Sequence, residues 1–176
     1  MEVIGFRVTS CLYQVWILVR VGYYGDQEKE CKCTQNEIHR YLNKISGPLL
    51  DRIDIQIEVK RPQIEKISSK VRTECSEIIR SRVNNARKIQ LERYRKIGIY
   101  SNAELTTKMV SVFCKLDYKG EELLQNAFRK LKLSVRAYEK ILKVARTIAD
   151  LDGKENIEFK HVAEALQYRS LDKFIK

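Results

Sequence analysis

The stretch Leu42-Asn43-Lys44-Ile45-Ser46-Gly47-Pro48-Leu49-Leu50-Asp51-Arg52-Ile53-Asp54-Ile55-Gln56-Ile57-Glu58-Val59 decides how the chain is organised. Proline forces the residue before it out of the α region and has no N–H to donate, so a helix arriving from the N-terminal side must stop at Gly47-Pro48. Beyond the break, Ile53, Ile55, Ile57 and Val59 alternate with Asp54, Gln56 and Glu58, the two-residue period of a strand with one buried face. Between them the apolar turn Leu49-Leu50 presents Asp51-Arg52 at the mouth of that strand. An arginine held there suits the grip of a phosphate or carboxylate through its planar fork. The same spacing also fits a surface arginine paired with its neighbour Asp51.

Upstream, Thr34-Gln35-Asn36-Glu37 is a capping box, hydroxyl and carboxylate each satisfying the other's exposed backbone donor. The helix it opens runs to about Ile45, with Ile38, Tyr41, Leu42 and Ile45 on one stripe and His39 and Arg40 off it. Before it come the glycine-bounded loop Gly22-Tyr23-Tyr24-Gly25-Asp26 and the pair Cys31-Lys32-Cys33. Two thiols one residue apart are half of a zinc site, which takes four ligands. Cys31 and Cys33 are therefore weak metal candidates, with free thiols as the other reading. In the first twenty residues, Leu12 to Val19 fits a buried strand.

Downstream, Lys60-Arg61-Pro62 closes the unit and a long helix is expected from about Ser69 to Lys96. Its apolar face is Val71, Cys75, Ile78, Ile79, Val83, Ala86, Ile89 and Tyr94. Residues 60–96 hold 12 Lys and Arg against 4 Asp and Glu, a net +8. A helix so basic can follow a nucleic-acid backbone, where each phosphate neutralised adds salt-dependent affinity. Arg72, Arg80, Arg87 and Lys88 are the candidate contacts, and a solvated face is the alternative. The remainder is helical. Asn102 to Leu105 opens a helix carrying Met109, Val112, Phe113 and Leu116, and residues 119–131 form another with Leu123, Leu124, Ala127 and Phe128 inside. Ser134 caps a third, with Tyr138, Ile141, Leu142, Ala145, Ile148 and Ala149 buried and Gly153 just past its end. Arg136 lies in its first turn, the end where the helix dipole favours acids, so it calls for an anionic partner or pairs with Glu139. A last helix, from about Phe159 to Tyr168, is introduced by Ile157 and packs Val162, Ala165 and Leu166. Together the segments after Tyr100 make a small antiparallel bundle.

Composition agrees with one domain, or one small domain with an appendage. Of the 176 residues 44% are hydrophobic, and 34 Lys and Arg against 23 Asp and Glu leave a formal charge of +11, which favours acidic partners. Five scattered cysteines make a reducing cytoplasm the simplest location. The apolar run at Val15-Trp16-Ile17-Leu18-Val19 falls far short of the roughly 20 residues of a membrane helix, and Met1-Glu2-Val3 lacks a basic signal-peptide start. A soluble protein with no membrane partner is expected.

Several runs together resemble a known family. They are Gly22-Tyr23-Tyr24-Gly25-Asp26, Cys31-x-Cys33-Thr34, the segment Tyr41 to Asp54 around Gly47-Pro48-Leu49-Leu50-Asp51-Arg52, Leu133-Ser134-x-Arg136-Ala137-Tyr138, Ile141 to Leu151, and His161 to Arg169. They resemble the C-terminal part of the magnesium-chelatase-like AAA+ ATPases of the ComM/YifB type. The resemblance implies a hexameric ring ATPase with nucleotide between subunits. It implies that Arg52 is the arginine finger reaching a neighbour's γ-phosphate, where such a residue stabilises transition-state charge. Arg136 would be the sensor-2 arginine, contacting the nucleotide of its own subunit. Relatives are linked to DNA handling in natural transformation, which the basic helix suits. The family label is no sign of chelatase chemistry.

The implied architecture is mainly α: the end of an AAA+ αβα core with one helix and one strand, then a long helix and a C-terminal helical lid bundle. The expected divisions are residues 1–21 outside the family, 22–60 the core remnant, 61–99 the long basic helix and 100–176 the lid. No Gly-x-x-x-x-Gly-Lys-Ser/Thr loop occurs, nor an apolar run ending in Asp-Glu, so the phosphate cradle and magnesium ligand are missing. Where the family carries Asn-Pro-Cys-Pro-Cys before Gly22, this chain reads Ile17-Leu18-Val19-Arg20-Val21. These departures point to a truncated or frame-shifted gene whose product cannot hydrolyse ATP unaided. ATP and magnesium belong to the intact family, and no cofactor is expected for this chain alone. Its partners would be intact homologous subunits, with DNA a further candidate. A stand-alone nucleic-acid-binding module and a regulator docking on an intact ring are the alternatives.

Overall fold

A computed structural model describes residues 31–42, 44, 46–57 and 74–169. The chain divides into two compact units, residues 1–44 and 45–176. The expected Leu12 to Val19 strand, the Gly22 to Asp26 loop, Ile45, Val59, Lys60-Arg61-Pro62, Val71 and Arg72 lie outside the described residues.

In the first unit, α1 (Gln35–Leu42) begins at the expected capping box. The Glu37 carboxylate accepts the Thr34 backbone N–H at 2.8 Å, and the Thr34 hydroxyl accepts the Glu37 N–H at 3.3 Å. Ile38 is buried while His39 and Arg40 are exposed, as their spacing requires.

In the second unit, Ser46 caps a short helix, α2 (Gly47–Leu50), its hydroxyl accepting from the Leu49 N–H. Gly47-Pro48 therefore starts a helix, because the fixed φ of proline suits a first turn. The strand expected from Ile53 to Val59 is not formed over the described residues 53–57. A single bridge pairs Gln56 with Arg169, with the Gln56 N–H donating to the Tyr168 carbonyl at 2.7 Å. The expected facing is also reversed: Gln56 is 5% exposed, whereas Ile55 and Ile57 are 51% and 68% exposed. Alternation specifies a face only when a neighbouring strand supplies a ladder. Here the partner is the end of a helix, and the residue that docks there is the one buried.

The rest is helical: α3 (Ser76–Tyr94), a 3-10 turn (Asn102–Glu104), α4 (Thr107–Phe113), α5 (Tyr118–Lys130), α6 (Val135–Leu151) and α7 (Phe159–Gln167). A mainly α fold is thus observed, consistent with the helical C-terminal domain implied above. Local chemistry sets the ends. Asp117 caps α5 by accepting the Gly120 N–H, and Ser134 caps α6 by accepting the Ala137 N–H. After α6, Gly153 takes φ +67°, its N–H bonding the Asp150 carbonyl while the Lys154 N–H bonds that of Ala149. Those two bonds are a Schellman closure, which needs the left-handed residue.

α6 is the centre of the bundle, packing on α3, α4, α7 and the 3-10 turn, while α5 packs on α7. Ala137, Ile141, Leu142, Ala145 and Ala149 of α6 meet Tyr94, Leu105, Val110, Leu124, Ile157 and Val162 in one core. Tyr94 and Phe113 pack edge to face, centroids 5.2 Å apart. Two expectations are corrected here. The helix expected from Asn102 is broken into the 3-10 turn and α4, which buries Val110 and leaves Val112 exposed. On α3 only Ala86, Gln90 and Tyr94 are buried, and Cys75, Ile78, Ile79 and Val83 are exposed. Among the described residues the burial of α3 is confined to its C-terminal half, so its apolar stripe outruns the surface that covers it there.

Candidate functional site

Arg52 sits on the turn that continues α2, where the Asp51 and Arg52 N–H groups bond the Gly47 and Leu49 carbonyls at 3.0 Å. Its side chain is exposed and its guanidinium donates to the Pro48 carbonyl at 2.9 Å. Asp51 is not its partner: that carboxylate lies 3.7 Å from the guanidinium of Arg169. Arg169 is itself 1% exposed and donates to the Ile53 carbonyl at 2.7 Å. From α6, the Lys140 ammonium donates to the Arg52 carbonyl at 2.8 Å and pairs with Asp54.

Arg136 is exposed in the first turn of α6, with no bond to Glu139 among the described residues. It lies four positions before Lys140 and so on the same side of the helix. The Arg52 turn is thereby attached to the helix that carries Arg136. Arg80, Arg87 and Lys88 are exposed on α3, and Arg87 also donates to the Gln90 side chain at 3.0 Å. Seven- and eight-residue separations place these three on one side of the helix, and Arg72 lies outside the described residues. Cys31 and Cys33 are half-buried, and among the described residues no group of three or more His, Cys, Asp or Glu is placed to hold a metal.

Sequence reasoning missed a buried polar cluster centred on Asp150. Arg93 of α3 grips its carboxylate with two bonds, 2.5 and 3.0 Å. Arg146 donates to the same carboxylate at 3.2 Å, and the Asn102 amide donates at 2.8 Å. The Tyr94 hydroxyl donates to Asn102 at 2.6 Å, and Arg146 also takes the Glu155 and Lys154 carbonyls. Burial pushes Arg146 below its ordinary pKa, and the Asp150 charge opposes that shift. The available signal was Arg146 and Asp150 themselves, an opposite-charge pair four residues apart beside the apolar stripe of α6. A second missed group stands at the start of α7. His161 Nδ1 accepts the Glu158 N–H at 2.9 Å, so the ring proton sits on Nε2, 3.1 Å from Asp152. Lys160 donates to the same carboxylate at 2.6 Å.

Residues 73–169, a span that takes in α3 to α7, match the family model described as magnesium chelatase, subunit ChlI C-terminal. The chain belongs to the magnesium chelatase ChlI family. A second match, to magnesium chelatase, subunit ChlI, covers residues 4–67. It begins ahead of Gly22, where the family boundary is expected from the motifs. Similar proteins include the competence protein ComM of Haemophilus influenzae, 45% identical over 146 residues, or 82% of this chain and 28% of the relative. YifB of Escherichia coli is 38% identical over 155 residues, 88% of this chain and 29% of the relative. The chain thus spans less than a third of the length of these curated relatives. Within the ChlI family matches, Arg52 belongs to the first segment, and Arg80, Arg87, Lys88, Arg136 and Asp150 to the C-terminal one. No helix among the described residues is long and apolar enough to cross a membrane.

Proposed function

We propose that the chain acts within an ATP-driven ring of the magnesium-chelatase-like type, supplying the Arg52 finger to a nucleotide that another subunit holds. Arg52 is the arginine finger in trans and Arg136 the sensor-2 arginine of the lid. The observation that carries this reading is the Arg52 turn: an exposed guanidinium, free of any carboxylate among the described residues, on backbone fastened to the bundle. Such a group stabilises the charge on a transferring γ-phosphoryl and is worth about a thousandfold or more in turnover. Nucleotide and magnesium would be held by the partner, since this chain has no phosphate loop. The test pairs the purified chain with an intact ComM or YifB relative whose own finger arginine is replaced by Ala. Added wild-type chain restores ATP turnover and Arg52→Ala does not. Turnover by the purified chain alone would overturn the proposal.

A second reading, nucleic-acid binding through α3, is favoured by the alignment of exposed Arg80, Arg87 and Lys88 on one side of a half-uncovered helix. Replacing Arg87 and Lys88 by Ala then flattens the dependence of log affinity on log salt by about 2, roughly 0.9 for each phosphate no longer neutralised. DNA retention that is independent of salt would exclude it.

A further inference from the structure

We infer that Lys140 and Arg169 are positioning residues for Arg52, clamping the 51–56 turn to α6 and α7 so that finger and lid move as one body. The functional half of this inference rests on the finger reading above; the clamp itself does not. The turn needs such a device, because its described backbone has no strand beside it and the single bridge at Gln56 is a weak anchor.

Two cations supply the rest, one on α6 and one just past the end of α7. Lys140 divides its donors between the carbonyl of Arg52 itself and the carboxylate of Asp54. Arg169 spreads its fork between the Ile53 carbonyl and the Asp51 carboxylate. Two successive carbonyls and the acids on either side of them are therefore taken by side chains whose own positions are fixed by packing. Arg169 is fully enclosed, and the Lys140 side chain is only 20% exposed. An isolated Lys140–Asp54 surface pair would contribute little. The bond to the Arg52 carbonyl is different, because it fixes the backbone from which the finger projects. Arg136, one turn before Lys140 on α6, is displaced with any movement of that helix, and the clamp passes the same displacement to Arg52.

Hydrogen exchange on the full chain decides the clamp, and the complementation assay decides its function. In Lys140→Ala the bonded amides of Arg52 and Gln56 exchange at least tenfold faster than in wild type, while those of α5 stay protected. Lys140→Arg restores protection. Arg169→Ala risks unfolding the buried end of α7, so Asp54→Ala is the second variant, with a smaller rise in exchange. Unchanged exchange of the Arg52 and Gln56 amides in Lys140→Ala overturns the inference. In the mixed ring, Lys140→Ala lowers restored kcat tenfold or more without altering KM for ATP or the chain's affinity for the ring, and Lys140→Arg recovers it. Faster exchange with undiminished turnover also overturns the positioning role. If wild-type chain restores no turnover, the finger reading falls and the exchange data still judge the clamp.

Discussion

Cys114 lies in the core of the bundle, and loss of solvation pushes its thiol up from 9.0 to about 11. Cys75, at the start of α3, is exposed. Iodoacetamide at pH 8 should therefore label Cys75 and spare Cys114 until the chain unfolds, a difference read by mass spectrometry. Because the folded thiol holds its proton more tightly than the unfolded one, the associated stability is complete below pH 9 and declines as pH rises toward 11. Asp152 behaves oppositely. Lys160 first, then His161, hold its carboxyl down from 3.8 to about 2. The stabilisation it gives the α6–α7 junction is present above pH 3.8 and is lost as pH falls through about 2. Carboxyl NMR shifts should show that low titration point and lose it in Lys160→Ala. None of these shifts was legible in sequence, since each depends on which side chains the fold brings near the group.

Among the elements, α6 was the most legible because its signals are local. Ser134, the apolar stripe and Gly153 all act within four or five residues; the cap and the glycine occupy the roles their spacing predicts, and of the stripe Ile141, Leu142, Ala145 and Ala149 are buried while Tyr138 and Ile148 are half-buried. Ser134→Ala should destabilise the bundle by about 1 kcal/mol, the usual cost of an N-cap, while Ser134→Asp retains most of it. Urea unfolding checks this, with the midpoint moving and the slope unchanged. α3 and the 53–59 strand misled for one reason. Periodicity reports which face could be buried, and burial also needs a surface opposite. Among the described residues α3 is buried only along Ala86 to Tyr94. The isoleucines at 55 and 57 have no such surface among the described residues.

For the whole second unit, the Asp150 cluster joins α3, the 3-10 turn and α6 in one buried network. Asp150→Ala would leave Arg93 and Arg146 facing each other without a counter-charge, which should cost about 3–5 kcal/mol, a large part of a typical 5–15 kcal/mol stability. Arg52→Ala, an exposed change, should stay within about 0.5 kcal/mol. Equilibrium unfolding of the two variants side by side checks both, and near-equal midpoints would refute the assignment of Asp150 to the structural centre.

The sequence alone determined the helical class, the capping of α1 and α6, the family and the residues proposed for function. Those properties are written in residue order: caps and stripes involve neighbours a few positions apart, and family motifs are contiguous runs. Only the tertiary structure decided that Gln56 rather than Ile55 is buried, that Asp51 turns to Arg169, and that Lys140 holds the Arg52 backbone. It likewise decided that Asp150 gathers two arginines and an amide. The bonds of Arg93 to Asp150, Lys140 to Arg52 and Arg169 to Ile53 join residues 57 to 116 positions apart. No local propensity can select them, because hydrogen bonds and ion pairs at that separation form only after hydrophobic packing has set the helices in place.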